Sequence, residues 1–136
     1  MRLIGIDKRF YNPQTYEYMY GNPHKKRFPL MTLTGSSLIP TVFAPLYMKN
    51  KKILEYINTY HNGEDIAMNF LIKCATGKDP IVITLNNSFT GLSEADGLSR
   101  KRPSTWTEER SHAVKFMHLH FLNKKCVKST LSETNM

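Results

Sequence analysis

The sequence predicts an α/β fold, because strand-like runs of β-branched residues alternate with longer segments that have helical periodicity. The clearest strand is residues 80–85, which are rich in isoleucine, valine and threonine, and we expect it to be buried on both faces of a sheet. Apolar side chains recur at helical spacing over residues 51–60. A chain of 136 residues can bury a core of its own and forms one domain at most.

The segments before the first long helix predict two strands and a short helix. Residues 2–6 form an apolar run, and a long loop rich in tyrosine and turn-forming residues follows it. Residues 30–34 predict a second strand, which Gly35 ends. Pro40 and Pro45 interrupt the next apolar run, so we expect the short helix to begin after Pro45.

The rest of the chain predicts two more helices separated by a long loop. Residues 64–76 predict a helix that Gly77 closes, because glycine readily adopts the left-handed conformation found after helix ends. Residues 86–103 are polar and predict the loop, and residues 106–122 are predicted to be helical.

Two carboxylates, Glu64 and Asp65, begin the helix of residues 64–76 and are the first candidate functional residues. Asn62 precedes them and is a good N-cap, because its side-chain oxygen can accept from unpaired helix amides. Acidic residues are stabilising at a helix N-terminus through its positive partial charge alone. The spacing by itself therefore favours an ordinary helix start over a catalytic acid.

Residues 62–70 read Asn-Gly-Glu-Asp-Ile-Ala-Met-Asn-Phe and resemble the signature of the exostosin-like glycosyltransferases, glycosyltransferase family 64. The family usually has Asn-Cys-Asp-Asp-Ile-Ala-Met-Asn-Phe, so Gly63 and Glu64 depart from its pattern. Further stretches that resemble the family in the same order are residues 31–37, 97–99 and 109–111. The resemblance covers the chain from about residue 2 to residue 116.

The resemblance implies a partial GT-A fold, which is a Rossmann-like nucleotide-sugar transferase architecture, without its N-terminal donor-binding half. It implies a retaining enzyme that transfers a sugar from a UDP-sugar donor to a glycan acceptor. We expect residues 1–122 to form this partial domain and residues 123–136 to form a disordered basic tail. The family's cofactor is Mn²⁺, held in GT-A enzymes by an Asp-x-Asp motif. No such motif occurs in this sequence, so we expect the metal ligands to be absent from the chain.

The resemblance also implies the roles of five residues. Asp65 matches the second carboxylate of the motif and is the first catalytic candidate, as nucleophile, as stabiliser of an oxocarbenium-like centre or as ligand of the acceptor hydroxyl. Arg110 is the second, since a guanidinium would stabilise the charge on the leaving phosphate, although pairing with a neighbouring glutamate is its simplest explanation. Asn62, Glu64 and Trp106 are expected to contact the substrate. Helical geometry directs Glu64 away from the reacting centre, and Trp106 stands where the family often has histidine.

The two cysteines, Cys74 and Cys126, give weaker indications. Cys74 is predicted to be a buried thiol on an apolar helix, and Cys126 lies in the basic tail. The resemblance implies cysteines at the positions of Gly63 and Ala113, and both are absent here. Their joint loss is expected if those cysteines form a disulfide in the family, a bond worth about 2–4 kcal/mol.

The formal net charge is +8, and short basic clusters lie at residues 24–27, 49–52, 100–102 and 124–125. Such clusters suit a polyanion, but they follow no motif, and we expect no nucleic acid partner. A basic polyanion-binding module and an inactive transferase homologue remain the alternative functions. The pair His118 and His120 predicts no metal site, because residues two apart on a helix point in nearly opposite directions.

No stretch approaches the roughly 20 consecutive apolar residues of a membrane span. Membrane association is therefore expected only through segments that this sequence does not contain. The resemblance implies a location in the secretory pathway, in the endoplasmic reticulum or Golgi.

Overall fold

The structure is a computed structural model that describes residues 1–21, 27–84 and 104–122. In these ranges the strands are β1 (Ile4–Gly5), β2 (Lys8–Tyr11), β3 (Tyr18–Met19), β4 (Leu30–Thr32), β5 (Ser37–Leu38) and β6 (Ile81–Val82). The helices are α1 (Phe43–Lys49), α2 (Lys51–Tyr60), α3 (Glu64–Thr76) and α4 (Trp106–Leu122), with a 3₁₀ turn at Thr34–Ser36. The expected loop at 86–103, the family match at 97–99, Cys126 and the basic tail lie outside the described residues.

The described strands form two small sheets of three strands each. In the first sheet, β1 lies in the centre and pairs antiparallel with β5 and parallel with β6. In the second, β2 lies in the centre and pairs antiparallel with β3 and β4. The α/β class predicted from the sequence is confirmed.

The region after β1 differs from the expected loop, because β2 and β3 form a hairpin there. Phe10 pairs with Met19 of β3 and also with Leu30 of β4. The second pairing joins residues that are distant in the sequence, and a local pattern does not reveal it. Propensity for a strand depends strongly on such neighbours.

Strand β6 is shorter and more exposed than expected. Ile81 is 40% exposed and Ile83 is 50% exposed, so the prediction of burial on both faces is wrong. Within the described residues, β6 lies at the edge of its sheet, and the face that carries these side chains is left uncovered. An apolar run cannot by itself distinguish a central strand from an edge strand.

Three of the helices, α2, α3 and α4, have the bounds predicted from the sequence. Helix α3 ends at Gly77, which has a left-handed conformation with φ of 69° and donates its N–H to the Lys73 carbonyl. Helix α1 begins at Phe43, earlier than expected. Pro45 falls within its first turn, where a proline is tolerated because that N–H needs no helical partner. None of the helices in the described ranges is long and apolar enough to cross a membrane.

The main core lies between α3, α4 and the second sheet. Its fully buried side chains come from both helices and include Ile66, Ala67, Ala113, Val114 and Met117. A smaller cluster, formed by Leu3, Phe43 and Ile72, packs on the other side of α3. Helix α3 is therefore buried along most of its surface, which fixes the position of its first turn against α4.

Cys74 is half-buried and forms a disulfide bond, so the prediction of a buried thiol is wrong. The helical pattern showed where Cys74 lies but carries no information on its oxidation. The positions that bear cysteine in the family, Gly63 and Ala113, lie in contact. A Cβ built on Gly63 would be 2.9 Å from the Ala113 Cβ. The two positions are therefore adjacent, as a family disulfide between them requires.

Candidate active site

The first turns of α3 and α4 are joined by a buried ion pair between Asp65 and Arg110. The Arg110 Nη2 donates to Asp65 Oδ2 at 2.5 Å, and the side chains are 5% and 6% exposed, respectively. The simplest expectation, that Arg110 pairs with a neighbouring glutamate on its own helix, is therefore wrong. The structure brings together the two residues that the family resemblance selected as catalytic.

Asn62 supports this ion pair and does not cap α3. Its Oδ1 accepts from Arg110 Nη1 at 3.2 Å, and its Nδ2 donates to Glu109 Oε2 at 3.4 Å. The N-cap is Gly63, with φ of 92° and no side-chain cap bond, so the assignment of Asn62 as the N-cap is wrong. A cap oxygen serves helix amides, whereas the Asn62 oxygen already serves a buried cation.

Aromatic rings enclose the Arg110 guanidinium. It lies 4.5 Å from the centroid of the Tyr18 ring and 5.4 Å from that of Trp106. Burial by itself lowers the pKa of Arg110, but the Asp65 carboxylate and Tyr18 outweigh it and raise the pKa above its ordinary value. The Arg110 Nε is buried without a hydrogen-bond partner among the described residues. Arg110 therefore stays charged and keeps one donor unused.

Two other residues of the family-like stretches hold the site together. Asn69 donates to the Thr32 carbonyl at 2.7 Å and accepts from the Thr32 N–H at 3.0 Å, which fixes α3 against β4. Ser111 accepts from the Tyr18 N–H at 3.0 Å and ties α4 to β3. These contacts give the asparagine and the serine positioning functions.

The two carboxylates at the start of α3 have different surroundings. Asp65 is 4% exposed, and its Oδ1 accepts from the Ile66 N–H at 2.8 Å while its Oδ2 accepts from Arg110. The Glu64 side chain is exposed and makes no hydrogen bond or ion pair with any residue in the described ranges. Both nevertheless line the same cleft, contrary to the expectation that Glu64 is directed elsewhere.

The cleft has a volume of about 530 Å³ and is open on one side. Its walls include two carboxylates, two aromatic residues and two arginines, namely Glu64, Asp65, Tyr20, Trp106, Arg9 and Arg110. The turn at Thr34–Ser36, which belongs to the family-like stretch 31–37, also lines the cleft. All three described stretches that resemble the family therefore meet at this cleft.

The cleft also contains Arg9 and Tyr20, which the sequence pattern does not select, because it predicts a loop for their segment. The Arg9 guanidinium lies 5.1 Å from the centroid of the Tyr20 ring, and Tyr20 is 52% exposed in the cleft. The spacing of Tyr18 and Tyr20, two residues apart as on one face of a strand, is a signal for Tyr20 but not for Arg9. Tyr18 itself is 2% exposed and packs in the core.

Within the described ranges, no group of three or more histidine, cysteine or acidic side chains is arranged to hold a metal ion. These residues therefore do not fit the Mn²⁺ site that the family implies. His118 packs against Tyr11 and Tyr16 at ring distances of 6.0 and 5.2 Å, and His120 lies 3.2 Å from Asn50 Nδ2. The histidines thus have structural contacts.

Comparison with known proteins identifies the class as a glycosyltransferase. The model of the glycosyl transferase family 64 domain matches residues 1–135. The chain therefore belongs to glycosyltransferase family 64 and is exostosin-like.

Named relatives support this assignment. Exostosin-2 of Mus musculus is 36% identical over 123 residues, and Exostosin-2 of Homo sapiens is 32% identical over 123 residues. Each alignment covers 83% of this chain and 16% of the relative. An Exostosin-like-3 homolog of Caenorhabditis elegans is 33% identical over 85 residues, covering 61% of this chain and 10% of the relative. The chain thus spans about a sixth of the length of the Exostosin-2 proteins it matches.

Proposed function

We propose that this chain forms the acceptor and catalytic part of a retaining glycosyltransferase, which transfers a sugar from a UDP-sugar donor to a glycan acceptor. The observation that carries the proposal is the buried Asp65–Arg110 ion pair in the wall of the cleft. Both partners belong to family-like stretches, and the cleft is large enough for a sugar ring. On this proposal residues 1–122 are part of a GT-A domain.

Arg110 has the chemistry needed at the leaving group. When the sugar leaves, negative charge develops on a phosphate oxygen, and a fixed guanidinium stabilises that charge without having to reorganise. Asp65, Asn62 and the Tyr18 ring hold the Arg110 side chain in one position. Its Nε is buried and has no hydrogen-bond partner among the described residues.

The sugar itself would lie along the aromatic part of the cleft. Tyr20 and Trp106 offer ring faces to the apolar face of a pyranose, and the carboxylates at the start of α3 offer acceptors to its hydroxyl groups. Asn62 acts on the substrate only through Arg110, because its own side chain is 3% exposed. Apolar ring faces beside polar acceptors suit a carbohydrate better than a purely anionic polymer.

The donor nucleotide and its Mn²⁺ require residues other than those described. We infer that the metal ligands and the uridine site belong to a donor-binding half in a longer polypeptide. The disulfide at Cys74 supports a location in the secretory pathway, since disulfides persist in oxidising compartments and are rare in the cytosol.

The proposal is tested by fluorescence, because Trp106 is the only tryptophan of the chain and lies in the cleft. Neutral oligosaccharides should change its emission, and the change should persist at high salt. A response only to anionic polymers that disappears with salt would instead favour the polyanion-binding module. No response to any saccharide would reject the proposal.

Calorimetry tests the missing donor site separately. We expect no Mn²⁺-dependent binding of UDP by this chain. Tight, metal-dependent binding would contradict the inference that the donor-binding half lies elsewhere. An inactive homologue would be indicated by saccharide binding without transfer in a longer polypeptide that does bind UDP.

A further inference from the structure

We propose that Glu109 is a positioning residue that acts on Arg110 through Asn62. Its carboxylate fixes the Asn62 side-chain amide in the one orientation in which the amide oxygen faces the Arg110 guanidinium. Glu109 is not among the five residues to which the family resemblance assigns a role. The bearing of this inference on sugar transfer rests on the proposed function.

The Asn62 side chain can hold Arg110 in only one of its two orientations. An amide has an oxygen that accepts hydrogen bonds and an NH2 group that only donates, whereas a guanidinium only donates. The Asn62 Oδ1 accepts from Arg110 Nη1 at 3.2 Å, and a flipped amide would place two donors against each other. Asn62 is 3% exposed, so water has little access to replace the lost acceptor.

Glu109 selects the same orientation from the other end of the amide. Its Oε2 accepts from Asn62 Nδ2 at 3.4 Å. An ionised carboxylate only accepts, so a flipped amide would place its oxygen against a second oxygen. The cation on one side of the amide and the anion on the other side therefore favour one orientation together.

The Glu109 carboxylate is itself held in place. Its Oε1 accepts from Thr105 Oγ1 at 3.0 Å, and the Glu109 N–H donates to the Thr105 carbonyl at 2.9 Å. Both carboxylate oxygens are thus engaged within the protein. Glu109 does not belong to the described lining of the cleft, so its effect on the cleft must pass through Asn62.

An acidic residue in the first turn of a helix has a simpler function, which is to interact with the positive partial charge of the helix. Glu108 and Glu109 both lie in the first turn of α4, and both are exposed. In the described part of the chain, the Glu109 side chain is hydrogen-bonded and that of Glu108 is not. Glu108 is therefore a matched control for the charge alone.

The consequence for Arg110 is a fixed guanidinium plane. Asp65 accepts from Nη2, and this contact alone would leave the planar group free to turn about it. The second contact, from Nη1 to Asn62, removes that freedom. Fixed donors stabilise developing charge without reorganising, so the orientation of Asn62 bears directly on the role proposed for Arg110.

NMR of the full chain tests the assignment through two rates: the exchange of the Asn62 Nδ2 protons with water, and the rotation of the Arg110 guanidinium about its Nε–Cζ bond. Glu109→Ala should accelerate the exchange at least about tenfold, because a hydrogen bond to a charged acceptor is lost, and should also accelerate the rotation. Glu108→Ala should leave both rates as in the wild type. Glu109→Gln should restore most of the protection, because its amide oxygen can accept from Asn62 while the Thr105 hydroxyl accepts from its NH2 group.

An Asn62→Asp background separates amide orientation from general loosening of α4. Both side-chain oxygens of an aspartate accept, so Arg110 has its acceptor in either orientation. Glu109→Ala should then not accelerate the rotation of Arg110, because it removes a repulsive carboxylate and no orienting contact. Faster rotation in this background as well would show that Glu109 acts by general loosening, and would overturn the proposal.

The outcomes separate this inference from the proposed function. Unchanged Asn62 exchange in Glu109→Ala, or equal acceleration in Glu108→Ala, would overturn the positioning role whatever the cleft binds. A wild-type chain whose Trp106 responds to no saccharide would reject the proposed function, while accelerated exchange in Glu109→Ala would still support the positioning of Asn62.

Discussion

Breaking the Asp65–Arg110 ion pair should destabilise the fold far more than breaking an exposed ion pair. In Asp65→Asn, Arg110 keeps its charge at 4% exposure but loses its carboxylate. Removing one partner of a buried pair typically costs about 3–5 kcal/mol, because the other charge is left uncompensated. For a chain of this length we expect the Tm to fall by roughly 3–4 °C per kcal/mol, and so by roughly 9–20 °C.

The chain supplies a matched control in its exposed ion pair. Lys73 Nζ lies 2.6 Å from Asp79 Oδ1, and the two side chains are 39% and 53% exposed. Solvent screens this pair, so Asp79→Asn should cost about 0–1 kcal/mol. Thermal and urea unfolding followed by circular dichroism measure both variants under the same conditions.

A double variant separates charge burial from packing. Asp65→Leu combined with Arg110→Met removes both charges and should be more stable than Asp65→Asn, since apolar replacement of a buried pair is often neutral. The reasoning is refuted if Asp65→Asn and Asp79→Asn lower the free energy of unfolding equally.

Three other predictions concern packing and titration. Gly63→Cys with Ala113→Cys should form a disulfide, detectable by mass spectrometry, because the two positions are adjacent. The oxidised double variant should have a higher Tm than its own reduced form, since the φ of 92° at Gly63 strains both forms equally. Gly5→Ala should cost about 1–3 kcal/mol in urea unfolding, because the new Cβ would lie 2.1 Å from the Oγ1 of buried Thr32. Burial, with a smaller contribution from Asp79, raises the pKa of Tyr11 to about 12, above its ordinary value of 10.0. The folded state then holds a proton that the unfolded state has lost, so stability should decrease as the pH rises from 10.0 to about 12, measured by urea unfolding.

Each of these predictions has a control. Gly35→Ala should change stability little, because an added Cβ meets no atom within 4 Å. The single Gly63→Cys should gain no stability from oxidation. Tyr11→Phe should reduce the alkaline loss only in part, because burial also raises the pKa of Tyr47 and of Tyr56 to about 12. Equal stability at both ends of the alkaline window would contradict the raised pKa values.

The sequence predicted the helices well because their evidence is local. Helical spacing predicts the bounds of α2, α3 and α4, and the glycine after α3 and the proline beyond it mark where α3 ends. Strands β2 and β3 were missed, and the burial of β6 was overestimated, because strand pairing and sheet position depend on residues far along the chain. Of the site, the motif located Asp65 and Arg110 but not their direct contact.

The different surroundings of Glu64 and Asp65 show most clearly what a sequence pattern does not predict. Adjacent helix positions suggested that only one carboxylate could face the cleft, yet both do. The two carboxylates differ because Arg110 forms an ion pair with Asp65, whereas the Glu64 side chain has no ion pair among the described residues. Likewise, Asn62 stands where an N-cap is expected, but its side-chain oxygen accepts a hydrogen bond from the buried Arg110 guanidinium. Which side chain pairs with Arg110 depends on tertiary contacts, and residue spacing in the sequence does not reveal these contacts.

The most direct test of the sugar cleft is an NMR titration that maps where a neutral oligosaccharide binds. A second cavity of about 370 Å³, lined by Tyr60 and His112 among others, is an alternative binding site in the same chain and serves as the control. We predict that the saccharide shifts the signals of the Trp106 indole, Tyr20 and Glu64 and leaves those of Tyr60 and His112 unchanged. Shifts centred on Tyr60 and His112, with the Trp106 indole signal unmoved, would contradict the account.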